Sequence, residues 1–135
     1  MASEVVVDSN VFMKLLRSRQ DPARVLIDAY GLGGLAICGM IRLEVLRGLS
    51  EPRLFARISA LMDVMVNVPS DNRLWTDATE LAWKLDRQGL VIPSADVVIA
   101  ASALRLGAAV LTSDSHFAQI KGLRVIAPPA EWFGA

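Results

Sequence analysis

Short apolar runs rich in β-branched residues alternate along this chain with longer segments of helical period. Residues 4–8, 35–38, 64–68, 109–112 and 123–126 are too short for helices and read as buried strands. Helical segments separate them. They run over 11–16, over 22–30 with Pro22 near the start, over 40–49 with Ile41, Val45, Leu46 and Leu49 at helical spacing, and over 54–62. Two more follow, over 72–87 with Leu74, Ala78, Leu81, Ala82 and Leu85 on one stripe, and over 94–106, capped by Ser94 and stopped by Gly107. Strands that alternate with helices call for a parallel sheet covered on both faces. With 135 residues and neither repeat nor long linker, one domain over 1–135 is expected.

Composition narrows the function. Hydrophobic residues make up 53% of the chain, more than a small interior readily takes, so part of this surface is expected in a homodimer or partner interface. No apolar run approaches the ~20 residues of a membrane helix. The opening MASEVVVDSN has Glu4 instead of a basic segment and is not expected to be a signal peptide. A single cysteine, Cys38, excludes a disulfide framework and a cysteine metal cluster, and fits a reduced, cytoplasmic protein. Net charge is zero, so any hold on nucleic acid must come from local basic patches or a metal.

Four acids occupy telling places. Asp8 follows the first strand, and Asp114 follows the fourth by a short step. Asp96 lies in the first turn of the helix over 94–106, and Glu44 lies on the helix after the second strand, on the face of Met40, Ile41 and Leu49. In an open parallel sheet the strand C-termini form one edge, where ligands bind. Each acid alone also has a plain structural reading. Asp8 and Asp114 suit helix caps, Asp96 suits a helix N-terminus, and Glu44 suits a surface pair with Arg42 or Arg47. Together on one edge they suit a hard divalent cation such as Mg²⁺ or Mn²⁺, which makes a nucleophile from water without a histidine base. His116 is the only histidine, so a histidine-pair nuclease is excluded. Cys38 ends an apolar strand and is expected to be inert.

The local motifs are more specific than the acids. VVVDSNVF with Asp8 and Asn10, RLEVLRGL with Glu44, Arg47 and Gly48, PSADVVIAASAL with Asp96, and LTSDSHFAQI with Thr112, Asp114 and Phe117 resemble, in order and spacing, the four motifs of PIN-domain ribonucleases. The nearest resemblance is to VapC toxins of bacterial and archaeal toxin–antitoxin pairs. It implies a three-layer α/β/α domain with a central parallel sheet of about five short strands. It implies Asp8, Glu44 and Asp96 as central metal ligands, with Asp114 completing the site directly or through water. Asn10 and Thr112 or Ser113 would support these ligands. The implied reaction is Mg²⁺-dependent hydrolysis of an RNA phosphodiester, with Mn²⁺ able to substitute, and the implied partner is a small VapB-like antitoxin that wraps the domain. Lys14 and Arg17 after the Asp8 loop, and Arg42 and Arg47 beside Glu44, offer phosphate contacts or else a solvated helix face.

Other readings stay open. A PIN nuclease of RNA processing or DNA repair would use the same acids. A flavodoxin-like signalling domain would leave Glu44 unexplained, and a degenerate module that only binds would not need all four acids. Gly31, Gly33 and Gly34 follow a helix rather than a strand, so they read as a stop and turn, not a dinucleotide loop. Trp75 and Trp83 read as core or interface anchors, Trp132 and Phe133 as docking the tail or a partner, and His116 as a helix-start or surface residue with a possible substrate role.

Overall fold

A computed structural model of the chain describes residues 4–134, so Met1 to Ser3 of the N-terminal segment and Ala135 lie outside the described residues. It is a three-layer α/β/α arrangement. Strands β1 (Val5–Val7), β2 (Leu35–Cys38), β3 (Val66–Val68), β4 (Ala109–Leu111) and β5 (Val125–Ile126) form one sheet in the order β3-β2-β1-β4-β5. Every pairing is parallel, with Val5 opposite Leu35 and Ala109, and Val7 opposite Leu111. Residues of β1, β2 and β4 are all buried, which fits their unbroken apolar sequence, since strands covered on both faces have no polar side to present.

The helices are α1 (Ser9–Arg17), α2 (Pro22–Tyr30), α3 (Gly39–Arg47), α4 (Pro52–Val64), α5 (Asn72–Arg87) and α6 (Ser94–Leu106). The bounds expected for α2, α5, α6 and β2 hold. Elsewhere the ends shift for local reasons. Helix α1 starts earlier than expected, at Ser9, because Asp8 caps it. Helix α4 runs on to Val64, so β3 is shorter than the apolar run suggested. Ser94 is not the cap of α6. Pro93 holds that position, its carbonyl accepting the Val97 N–H at 3.1 Å, and Ser94 is the first helical residue. Gly31 and Gly107 end α2 and α6 with φ of +72°, a conformation that costs a glycine nothing.

Helix α6 is the most enclosed of the helices, buried from Val97 through Ala103, with the Ser102 hydroxyl donating to the Val98 carbonyl at 2.8 Å. It packs on α5, α3, β1 and β4. Trp75 and Trp83 do not belong to the core. They are 47% and 59% exposed and border a groove between α5 and α6. Trp132 and Phe133, by contrast, pack back on the core, and Lys14 of α1 lies 5.3 Å above the Phe133 ring. No helix among the described residues is long and apolar enough to cross a membrane.

Candidate metal centre

The chain runs outward from β1 through β2 to β3, then crosses back to lay β4 on the other side of β1. Strands β1 and β4 therefore flank the switch point of the sheet, where strand ends splay and leave a crevice. The Asp8 N–H donates to Leu111 O at 3.0 Å, extending the β1–β4 ladder one residue and setting Asp8 at the rim.

Asp8 is 3% exposed, and its carboxylate is held from several directions. Oδ1 accepts the Ser9 N–H at 2.8 Å, while Oδ2 accepts the Thr112 hydroxyl at 2.7 Å and the Asn10 amide at 3.2 Å. Asn10 also donates to Thr112 Oγ1 at 3.1 Å and accepts the Ser113 N–H at 3.2 Å. Thr112 Oγ1 in turn accepts the Asp114 N–H at 2.9 Å. Of the two supporting residues expected after β4, Thr112 acts through its side chain, whereas Ser113 joins through its backbone and its side chain is exposed. Burial pushes the Asp8 carboxyl up to about 6, with the charges of Asp96 and Glu44 adding to it and the bonds from Thr112 and Ser9 opposing it.

Glu44 reaches this rim from α3. Its Oε1 faces the Ser9 hydroxyl at 3.2 Å, and the same hydroxyl lies 3.4 Å from Asp8 Oδ1, so Ser9 links the two acids. The alternative surface pair is not formed with Arg42, whose guanidinium donates to Asp63 at 2.7 Å and Ser59 at 2.8 Å on α4. On the other side of the site, His116 Nδ1 lies 2.8 Å from Asp96 Oδ2 and 3.1 Å from Asp114 Oδ1. The hydrogen bond with Asp96 and the charge of Asp114 raise the His116 pKa. Asp114 also accepts the His116 N–H at 2.9 Å, capping a 3-10 turn over Ser115–Gln119.

The capping contacts are thus present, and so are links among the four acids. Asp8 and Asp114 cap, and all four acids are tied to one rim by Ser9, Thr112 and His116. The donor set fits a hard divalent cation, since it is carboxylate-rich and one of its members is buried against its own charge. Ligand atoms of Asp96, Asp114 and His116 lie within 4.8 Å of one another, close enough to hold one ion. Ser9 and His116 were not singled out as members of the site from sequence. Ser9 sits in VVVDSN, where its hydroxyl reads as a capping group, and nothing in the chain around His116 points to Asp96, 20 residues away. Cys38 is buried and its thiol is pushed up by that burial, as an inert core residue should be.

The candidate basic residues are dispersed. Lys14 is occupied by Phe133 and Arg42 by α4, while Arg17 and Arg47 are exposed at the ends of α1 and α3.

Comparison with known proteins bears on the whole arrangement. The PIN-domain family model matches residues 5–123. Among solved structures, the DNA-bound VapBC of Salmonella typhimurium superposes with a TM-score of 0.78 at 18% identity, covering 93% of this chain and 98% of that one. VapBC-1 of nontypeable Haemophilus influenzae gives 0.72 at 20% identity, with coverage of 91% and 96%. PAE2754 of Pyrobaculum aerophilum gives 0.61 at 21% identity, with coverage of 93% and 90%. No curated protein sequence matches.

Proposed function

The chain belongs to the PIN-domain family, and from that premise we propose that it is a Mg²⁺-dependent endoribonuclease, the toxin of a type II toxin–antitoxin pair. One observation carries the reading. Asp8, Glu44, Asp96 and Asp114 come from four separate segments and are linked in one chain of contacts, Glu44 to Asp8 through Ser9, Asp8 to Asp114 through Thr112, and Asp114 to Asp96 through His116. A capping role explains Asp8 and Asp114 but gives no reason for a half-buried Glu44 turned to the Ser9 hydroxyl or for burying Asp8 beside other acids.

A divalent cation bound there supplies Lewis acidity toward the phosphate and lowers the pKa of water, which suits a chain with one histidine. Asp8, Glu44 and Asp96 would hold it, with Asp114 directly or through water. Thr112 and Asn10 fix the direction of the Asp8 carboxylate, and a fixed ligand costs less to order when the ion arrives. Arg17 and Arg47, exposed at the ends of α1 and α3, would take RNA phosphates away from the rim, and Lys14 would join them on leaving Phe133. Arg42 is left out of that grip because Asp63 and Ser59 hold it. Hydrolysis would leave a 5′-phosphate and a 3′-hydroxyl.

The structural relatives include complexes described as VapBC, which supports an antitoxin partner here. Leu43 and Phe55, 57% and 44% exposed, line an apolar groove between α3 and α4 that a partner helix would cover. The test is sequencing of RNA fragments after brief expression of the wild type and of Asp8→Asn. Defined new 5′-phosphate ends with the wild type alone support the reading. Equal cleavage by clean Asp8→Asn protein with Mg²⁺ overturns it.

A further inference from the structure

His116 stands apart from the rest of the site. The other candidate ligands offer oxygen, and His116 offers nitrogen. Its Nδ1 is directed at Asp96 Oδ2 and Asp114 Oδ1 together, at 2.8 and 3.1 Å. These three atoms are all rich in electrons, and bringing them this close requires a positive centre among them, either a proton on Nδ1 or a cation. Their spacing suits the second as well as the first. Two ligands at right angles, each about 2.1 Å from an ion, lie about 3 Å apart. The His116 side chain is 42% exposed, that of Asp114 30% and that of Asp96 16%, so an ion has a route in from the solvent.

We propose that His116 is itself a ligand, binding through Nδ1 the divalent cation held between Asp96 and Asp114, and that this nitrogen makes the site bind Mn²⁺ more tightly than the Mg²⁺ it also accepts. The inference rests on the metal-dependent reading above and concerns which ion the site takes. Mg²⁺ keeps to oxygen ligands and water. An imidazole in place of one water favours ions further along the first transition row, and Mn²⁺ is the member of that row that also accepts a carboxylate-rich shell. The backbone supports the geometry. Asp114 accepts the His116 N–H at 2.9 Å, which fixes the start of the 3-10 turn and thereby the direction of the ring.

The chain has one histidine, so ¹⁵N-histidine labels a single residue. The experiment is pulsed electron paramagnetic resonance on untagged, Mn²⁺-loaded full-length protein, with natural and with ¹⁵N-labelled histidine. Mn²⁺ and Mg²⁺ affinities of the wild type and His116→Gln are measured by calorimetry alongside. Expected are a nitrogen coupling of the size of a direct bond that changes on labelling, and a loss of Mn²⁺ affinity in His116→Gln of about tenfold or more with a much smaller change for Mg²⁺. Mn²⁺ that binds with no coupling from the labelled ring, or a His116→Gln variant that weakens both ions alike, overturns the assignment of His116 and leaves the metal centre standing. A wild type that binds neither ion removes the metal centre and the assignment together.

Discussion

The Thr112 hydroxyl donates to the Asp8 carboxylate over 2.7 Å, joining residues 104 positions apart in sequence. A hydrogen bond to an ionised group is worth about 1.5–3 kcal/mol. Thr112→Val should therefore lower the melting temperature of metal-free protein above the Asp8 pKa of about 6, and lower it less on the acid side, where Asp8 is neutral. Thr112→Ser should restore the wild-type profile. A Thr112→Val loss of equal size at every pH would mean that the bonds the hydroxyl accepts from the Asp114 N–H and the Asn10 amide, not the bond it donates to Asp8, are what matter.

Metal-free protein should become more stable on mild acidification. Asp8 titrates near 6 when folded, against 3.8 for an ordinary aspartate, so between those values the unfolded chain has lost a proton that the folded chain keeps. Stability then falls as pH rises from about 4 to about 6 and is level above, a difference of at most about 3 kcal/mol. His116 acts in the same direction, because its stabilisation is complete below 6.5 and fades as pH rises through its higher folded value. Asp71, held low by the Arg105 guanidinium and the Leu74 N–H, acts oppositely, losing its contribution only as pH falls below the usual carboxylate range. Melts in EDTA across this range should show a maximum on the acid side of neutrality, and Asp8→Asn should flatten the Asp8 part.

Mg²⁺ should raise the melting temperature of the wild type, by about 2.7 kcal/mol of stability when it stands a hundredfold above its Kd. Asp96→Asn should lose most of that gain. Without metal the same variant forfeits a helix N-terminus term of about 0.3–1 kcal/mol and the His116 contact, and it removes a charge that raises Asp8. Near wild-type melting in EDTA is expected. A large drop in EDTA, with equal Mg²⁺ shifts in both proteins, would make Asp96 a helix-terminal stabiliser only.

The expected self-association would use the exposed Trp75 and Trp83 on α5, with Arg87 4.8 Å from the Trp83 ring at the margin of that face. Light scattering at micromolar concentration should give at least twice the 14.6 kDa chain mass. The double variant Trp75→Glu, Trp83→Glu should give a single chain mass with a fold whose stability is little changed, since exposed substitutions usually stay within about 0.5 kcal/mol. A monomeric wild type would remove the need for this face.

The frame was legible because punctuation and period agree. Gly31 and Gly107 stop helices, Pro22 opens one, and the valines of β1 leave no other element possible. The four acids proposed as ligands stood out through their motifs. Ser94 misled because serine is a strong capping residue, yet the fixed φ of Pro93 takes the cap position before it. Val64 misled because an apolar residue at the end of a helix looks the same as one at the start of a strand. The Trp75 and Trp83 positions fall outside the stripe of Leu74, Ala78 and Leu85, so helical period alone gave their side of the helix but not what lies against it. The contact of His116 with Asp96 and Asp114 needed three dimensions, since it depends on how α6 and the turn after β4 are laid over the sheet.

The position of β4 has a consequence in time. It is fourth in the chain but sits beside β1 near the middle of the sheet, and it brings with it Thr112, Asp114 and His116. Parallel strands cannot close through short hairpins, and pairings between distant segments form slowly. A growing chain that has made Asp8 and Glu44 therefore holds only half of the proposed site, and a chain that loses β4 loses the Thr112 bond to Asp8 at the same moment. Competence to cut would arrive late in folding and in one step, and partial unfolding would silence it before the rest of the domain came apart.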